Sequence, residues 1–158
     1  MKTIVKTTRF PDGGDPEDTN HCALYALSAL TGWSYKTCAG LASVFAGRKP
    51  GKGVDVFKLF GVGIRQFHEF EFLYVAPYTR RHLFGGRQPT VAQFAKWKAG
   101  ASHDYFVVTN AGRGAHAIAV KRGVVFNNWP TRHVRHRVLY YWLVTRKTVD
   151  TGLPKAAH

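Results

Sequence analysis

The sequence predicts an α+β fold in which helices pack on a C-terminal antiparallel sheet. Apolar residues recur at helical spacing early in the chain, over about 22–46. β-rich runs separated by short glycine-containing turns follow late, over about 105–144. Helices first and strands later is the order of an α+β domain, not of repeated βαβ units. The 158 residues suffice for one domain, 1–158, with its own core. That core is expected over about 15–144, with the last residues, about 150–158, frayed.

The elements follow in order. Residues 2–9 alternate weakly and suit an edge strand. Pro11-Asp12-Gly13-Gly14-Asp15-Pro16 carries turn chemistry. Thr19 or Asn20 stands where a cap is needed for the next helix, about Cys22 to Leu30. Ala23, Leu24, Ala26, Leu27, Ala29 and Leu30 make that helix apolar on nearly every face, so it is expected to be buried. Thr31-Gly32 stops it. Ser34 caps a second helix, about Tyr35 to Ala46, whose core face reads Cys38, Leu41, Ala42 and Phe45. Gly47 to Gly53 is a basic, glycine-rich loop that lacks the G-x-x-x-x-G-K-[ST] order of a phosphate-binding loop. A short helix is expected over Val54 to Phe60, while 64–75 mixes aromatic and polar residues with no clear period. Pro77 to Gln88 reads as loop with Arg80-Arg81 exposed. Thr90 and Gln93 form a capping box that opens a helix to about Lys98, and Gly100 ends it. Strands are then expected at Tyr105–Val108, His116–Val120, Val124–Phe126 and Val138–Val144.

Composition narrows the function classes. No stretch of about 18 uncharged apolar residues exists, so no membrane span is expected. Met1 to Lys6 lacks the apolar region of a signal peptide, so action in the cytoplasm, or packaging in a virion, is expected. With two cysteines and no secretory signal, free thiols are expected. There is no C-x-x-C, and the His133/His136 spacing has no partner pair, so neither a metal nor a cofactor is expected. The net charge is +14, and four of the nine acids (Asp12, Asp15, Glu17, Asp18) lie just before Cys22, so the rest is more basic still. Such charge favours nucleic acid or acidic proteins as partners.

The chemistry centres on Cys22, where the polar run Asp18-Thr19-Asn20-His21 becomes an apolar helix. A helix start presents unpaired N–H groups and the positive end of the macrodipole. A thiol there is expected to lose its proton more easily, and the thiolate is the nucleophile. The same N–H groups can receive an oxyanion. Cys38, in mid-helix on an apolar face, reads as core. A cysteine nucleophile needs an imidazole, and the imidazole an orienting group. His116 begins a strand after a glycine-rich turn, and Asn127 ends the next strand of the hairpin, so the two are expected to be neighbours. Asn128 is the alternative, on the opposite face by parity, and Trp129 is placed to shield the pair. His21 points elsewhere if the helix starts at Cys22, and His68, His82, His103, His133 and His136 are expected on the surface.

A cysteine at the tip of an early buried helix, then a histidine on a late strand, then Asn on the next, resembles the papain-like cysteine peptidases. The closer likeness is to small C39-like proteins of phages and bacteria. It rests on Thr90-Val91-Ala92-Gln93-Phe94, Tyr105-Phe106-Val107-Val108, His116-Ala117-Ile118-Ala119-Val120, Gly123 to Trp129 and Val138 to Trp142. The resemblance implies a papain-like fold and cleavage of a peptide or isopeptide bond through a thioester. Cys22 would be the nucleophile, His116 the general base and acid, and Asn127 the orienter. A transferase or a deamidase would use the same triad. The substrate would be a protein or peptide, acidic to suit the charge. Three positions depart from the pattern. Pro16 stands six before Cys22, where papain-like enzymes carry an oxyanion glutamine, which leaves Asn20 for that role. Asn127 stands where many relatives have Asp, and the Asp-Cys-Gly type of opening is Asn20-His21-Cys22-Ala23. The alternative is an idle papain-like scaffold that binds nucleic acid or acidic protein through Arg48, Lys49, Lys52, Arg80, Arg81, Lys121, Arg122, Arg132, Arg135 and Arg137.

Overall fold

A computed structural model describes residues 2–7, 9–63, 66–67, 69–75, 87–97, 101–110, 114–128 and 135–147. The chain opens with β1 (Val5–Lys6), then α1 (Cys22–Thr31), α2 (Tyr35–Ala46), α3 (Val56–Lys58) and a π-helical turn over Leu59–Gly63. It continues with β2 (Gln66–Phe67), β3 (Phe70–Val75), α4 (Val91–Lys96), β4 (Asp104–Asn110), β5 (Ala115–Lys121), β6 (Val124–Phe126) and β7 (Val138–Arg146). Among the described residues the strands form one seven-stranded sheet in the order β1-β6-β5-β4-β7-β3-β2. The α+β class stands.

The sheet is mixed rather than antiparallel. β1 runs parallel to β6, with Val5 opposite Val125 and Lys6 opposite Phe126. A parallel pair needs a long crossover, and more than a hundred residues here separate its two strands. Within the aperiodic stretch 64–75, β3 belongs to the sheet and pairs with β7 from Phe70↔Arg146 to Val75↔Tyr141. Phe70 and Phe72 are buried, but Leu73 and Tyr74 are both exposed, and this broken alternation hides the strand from a period-2 reading.

Both faces of the sheet are covered. Phe106, Ala119, Phe72 and Trp142 meet Leu24, Leu27 and Cys38 on one face. Val107, Ile118, Val120 and Tyr141 meet Val91 and Phe94 on the other. Burial on both sides explains the near-continuous apolar runs of β4 and β5. β5 and β6 join through Arg122 and Gly123 at φ 46 and 82, the positive angles of a tight hairpin turn.

The helix ends show what sequence chemistry does and does not fix. Ser34 caps α2 by accepting from Thr37 N–H at 3.1 Å, and Gly32 closes α1 at φ 77. Thr90 and Gln93 form the expected reciprocal box on α4. That helix stops at Lys96, two residues early, because Trp97 is extended. The helix expected over Val54 to Phe60 is a single turn capped by Asp55 that loosens into the π-helical turn. Neither Thr19 nor Asn20 caps α1; its N-cap is His21, with no side-chain cap bond. The Asn20 carbonyl is instead held by Arg48 at 3.0 Å. The expected 77–88 loop with Arg80-Arg81, save Arg87 and Gln88, Trp129 and the frayed terminus lie outside the described residues. No helix among the described residues is long and apolar enough to cross a membrane.

Candidate functional site

Cys22 is the first residue of α1 and Ala117 lies in β5, and both belong to the same core face. The strand register then sets the partners of His116. Ala119 lies opposite Phe126 in the β5–β6 pair. Continuing that register by one residue sets Asn127 across from Ile118 and diagonal to His116 on one face. The result is a buried hydrogen bond of 2.8 Å between His116 Nε2 and Asn127 Oδ1. An amide oxygen only accepts, so Nε2 donates and the neutral ring carries its lone pair on Nδ1. Asn127 is itself anchored, since its N–H donates to Lys6 carbonyl of β1 at 3.0 Å. Asn128 is not the partner; its amide oxygen is buried and has no hydrogen-bond partner among the described residues.

Asn20, Cys22, Gly53, Val108, His116 and Ala117 line one cavity of about 300 Å³. No hydrogen bond among the described residues joins Cys22 to His116. Strand parity gives the reason. His116 shares its parity with Ile118 and Val120, whereas Cys22 packs on the side of Ala117 and Ala119. The cavity lies at the start of β5, where Gly114 to Ala117 line it. Asn20 is exposed, and its amide nitrogen lies 3.7 Å from where a Cβ on Gly53 would stand.

Electrostatics corrects one expectation. Burial pushes the Cys22 thiol above its ordinary value, outweighing the N–H groups of Ala117 and Ala23 and the charge of Arg48. The helix tip therefore does not leave a resting thiolate. Burial also pushes His116 down, against the Asn127 hydrogen bond that favours the charged ring, with the charge of His136 adding to the fall. Both directions favour a neutral thiol beside a neutral imidazole. Cys38 is fully buried and its thiol is pushed up to about 12 by burial, as a core residue should be.

Arg48 and Asp18 were not legible as a pair. Arg48 reads in sequence as part of an exposed basic loop, yet it is buried, with Nη2 2.7 Å from both Asp18 oxygens. The same nitrogen reaches the Asn20 carbonyl, and Nε donates to the Lys52 carbonyl at 2.9 Å. Asp18 also accepts from Gly51 N–H at 3.0 Å and from the Tyr35 hydroxyl. The signal available was the acidic segment before Cys22 in an otherwise basic chain. Arg48 thus leaves the basic surface, and Arg80, Arg81 and Arg132 lie outside the described residues. Lys49, Lys52, Arg122, Arg135 and Arg137 are exposed, and Lys121 is half-buried with its ammonium 5.7 Å from the Phe126 ring. His103 is exposed as expected, but His136 is half-buried, while His68, His82 and His133 fall outside the described residues. His21 lies tilted against Tyr25, with ring centroids 4.7 Å apart, and 6.4 Å from Phe10.

A second feature was missed. Phe57, Tyr74 and Tyr140 are exposed around Trp142, and a cavity of about 420 Å³ opens beside Phe57 and Trp142. Val56, the chain neighbour of Phe57, and Val108, the cross-strand partner of Tyr140, line the Cys22 cavity. Among the described residues no group of three His, Cys, Asp or Glu side chains is placed to hold a metal ion. Compared with protein-family models, curated proteins and solved structures, the chain gives no match.

Proposed function

We propose that this chain is a papain-like thiol hydrolase that cleaves an amide bond in a polypeptide, with Cys22 as nucleophile, His116 as base and acid, and Asn127 as orienter. The observation that carries the reading is the buried His116–Asn127 hydrogen bond, made by a histidine that lines one cavity with Cys22. The aromatic shelf around Phe57 supports a polypeptide over a small polar substrate, because apolar side chains beside a scissile bond would be buried there.

The starting state is the neutral pair. As Cys22 Sγ attacks the carbonyl carbon, its proton passes to His116 Nδ1, directly or through one water. Such hydrogen bonds are often long without substrate and tighten with it. The new S–C bond puts charge on the carbonyl oxygen, which the Cys22 and Ala23 N–H groups and the Asn20 amide receive. A single donor of this kind contributes roughly 3 kcal/mol. His116 then returns the proton to the departing nitrogen, the C–N bond breaks, and water activated by His116 releases the thioester. Transfer to an amine in place of water would make the same site a transferase.

The test is alkylation by iodoacetamide followed by mass spectrometry across pH. Near pH 7 the thiol is neutral and needs His116 as its base, so labelling at Cys22 should slow about 100-fold in His116→Ala. A rate that His116→Ala leaves untouched would remove the reading.

A further inference from the structure

We propose that Arg48 is a positioning residue for the reaction at Cys22, holding the oxyanion-binding segment Asn20-His21-Cys22 in its working shape through the Asn20 carbonyl. This rests on the thiol-hydrolase reading and names a part of the site that the triad does not supply.

The N-cap of α1, His21, makes no side-chain capping bond to set the entry of the chain at Cys22. Something else must hold that entry, because N–H groups aimed at an oxyanion act only if they are fixed in advance. Arg48 is the one side chain, among the described residues, that bonds the backbone of this segment from elsewhere in the chain, at 3.0 Å to Asn20. Its planar fork reaches two carbonyls and one carboxylate at once: Nη2 to Asn20 and Asp18, Nε to Lys52. Asp18 returns the link by accepting from Gly51 N–H. The segment before Cys22 and the loop that ends at Gly53 are thus tied at two points. Gly53 lies beside the Asn20 amide and lines the cavity. A buried ion pair replaced by apolar side chains is often no less stable, so stability alone does not account for one here.

The test separates positioning from folding by using two reagents on the same thiol. Iodoacetamide alkylates Cys22 without forming an oxyanion, whereas p-nitrophenyl acetate acylates it through one and releases p-nitrophenolate. The ratio of acylation to alkylation rates therefore reads the oxyanion donors and not the thiol. Arg48→Lys keeps the charge but cannot make the three bonds together. It should lower the ratio by about 10- to 100-fold, the range of a lost or misaimed oxyanion donor. Asp18→Asn, which keeps the shape and the Gly51 bond, should lower it about threefold to tenfold. Lys49→Ala removes a charge from the same loop and should leave the ratio unchanged. Asn20→Ala removes one of the donors that Arg48 positions, so the double variant should fall by less than the two single losses combined. An unchanged ratio in both Arg48→Lys and Asp18→Asn, or additive losses in the double variant, would overturn the proposal. Should Arg48→Lys fail to fold, Asp18→Asn and Asn20→Ala decide it. Acylation of the parent protein at a rate that His116→Ala leaves unchanged would instead overturn the hydrolase reading itself.

Discussion

His116 Nε2 and Asn127 Oδ1 lie 2.8 Å apart, although eleven positions separate the residues in the chain. Asn127 holds one ring nitrogen, and so decides which nitrogen is left to take a proton. Asn127→Ala should cost about 10- to 100-fold in acylation of Cys22, since a small misplacement of a base has that effect. Asn127→Asp puts a carboxylate against the ring and favours imidazolium, so the apparent pKa of His116 should rise. The acid limb of the rate profile should move to higher pH in that variant. A profile that stays in place would mean that Asn127 does not face the working imidazole.

The hairpin between Ala115 and Phe126 was legible because two apolar runs flank a short glycine turn, which leaves one register. The helix at Cys22 was legible because its apolar faces start abruptly. Three things were not. The parallel pairing of β1 joins residues at opposite ends of the chain, and no local pattern encodes it. The burial of Arg48 depends on Asp18, thirty positions away, and an isolated arginine in a glycine-rich loop reads as solvated. The state of the Cys22 thiol is a competition: a helix tip and a cation lower its pKa, burial raises it, and only the packed structure shows that burial wins.

The two cysteines should differ sharply in reactivity. Cys38 is fully buried and its thiol is pushed up to about 12. Limited alkylation of the folded protein should modify Cys22 alone, and Cys22→Ala should abolish labelling until denaturant is added. Label on Cys38 under native conditions would show that α2 opens readily.

The same shifts set a pH dependence. With the thiol raised and the imidazole lowered, no thiolate–imidazolium pair is populated at rest. Alkylation of Cys22 should therefore climb with pH and show no plateau below neutrality, the plateau being the mark of a preformed ion pair. His116 has a folded-state pKa below its ordinary 6.5, so its contribution to stability is present above that value and is lost as pH falls below it. Urea midpoints at pH 7.5 and 5.5 should differ more for the parent than for His116→Gln.

Asp18 is the buried counter-charge of Arg48, and its removal strands a cation. Asp18→Ala should destabilise by about 3–5 kcal/mol, measured by urea unfolding. The Asp18 carboxyl is held at about 2 against its ordinary 3.8; burial opposes this, and the Tyr35, Arg48 and Gly51 bonds prevail. A depressed folded pKa gives stability that is present above 3.8 and lost as pH falls toward 2. The acid side of the unfolding curve should flatten in Asp18→Asn. Equal acid slopes in the two proteins would place the carboxylate out of reach of Arg48.

β1 is only two residues long, yet it carries one support of the site. The Ile4 carbonyl just before it and its own Lys6 carbonyl accept from Val125 and Asn127 N–H, each at 3.0 Å. The second of these bonds fixes the backbone of the residue that orients His116. Deleting residues 1–7 frees that end of β6 and leaves the α1 contacts with β5 in place. The truncated protein should keep its far-ultraviolet circular dichroism and its Cys22 alkylation above the thiol titration. Acylation by p-nitrophenyl acetate should fall about tenfold, as a loosened base loses alignment. Acylation that survives the deletion at full rate would show that β6 holds Asn127 without help from β1.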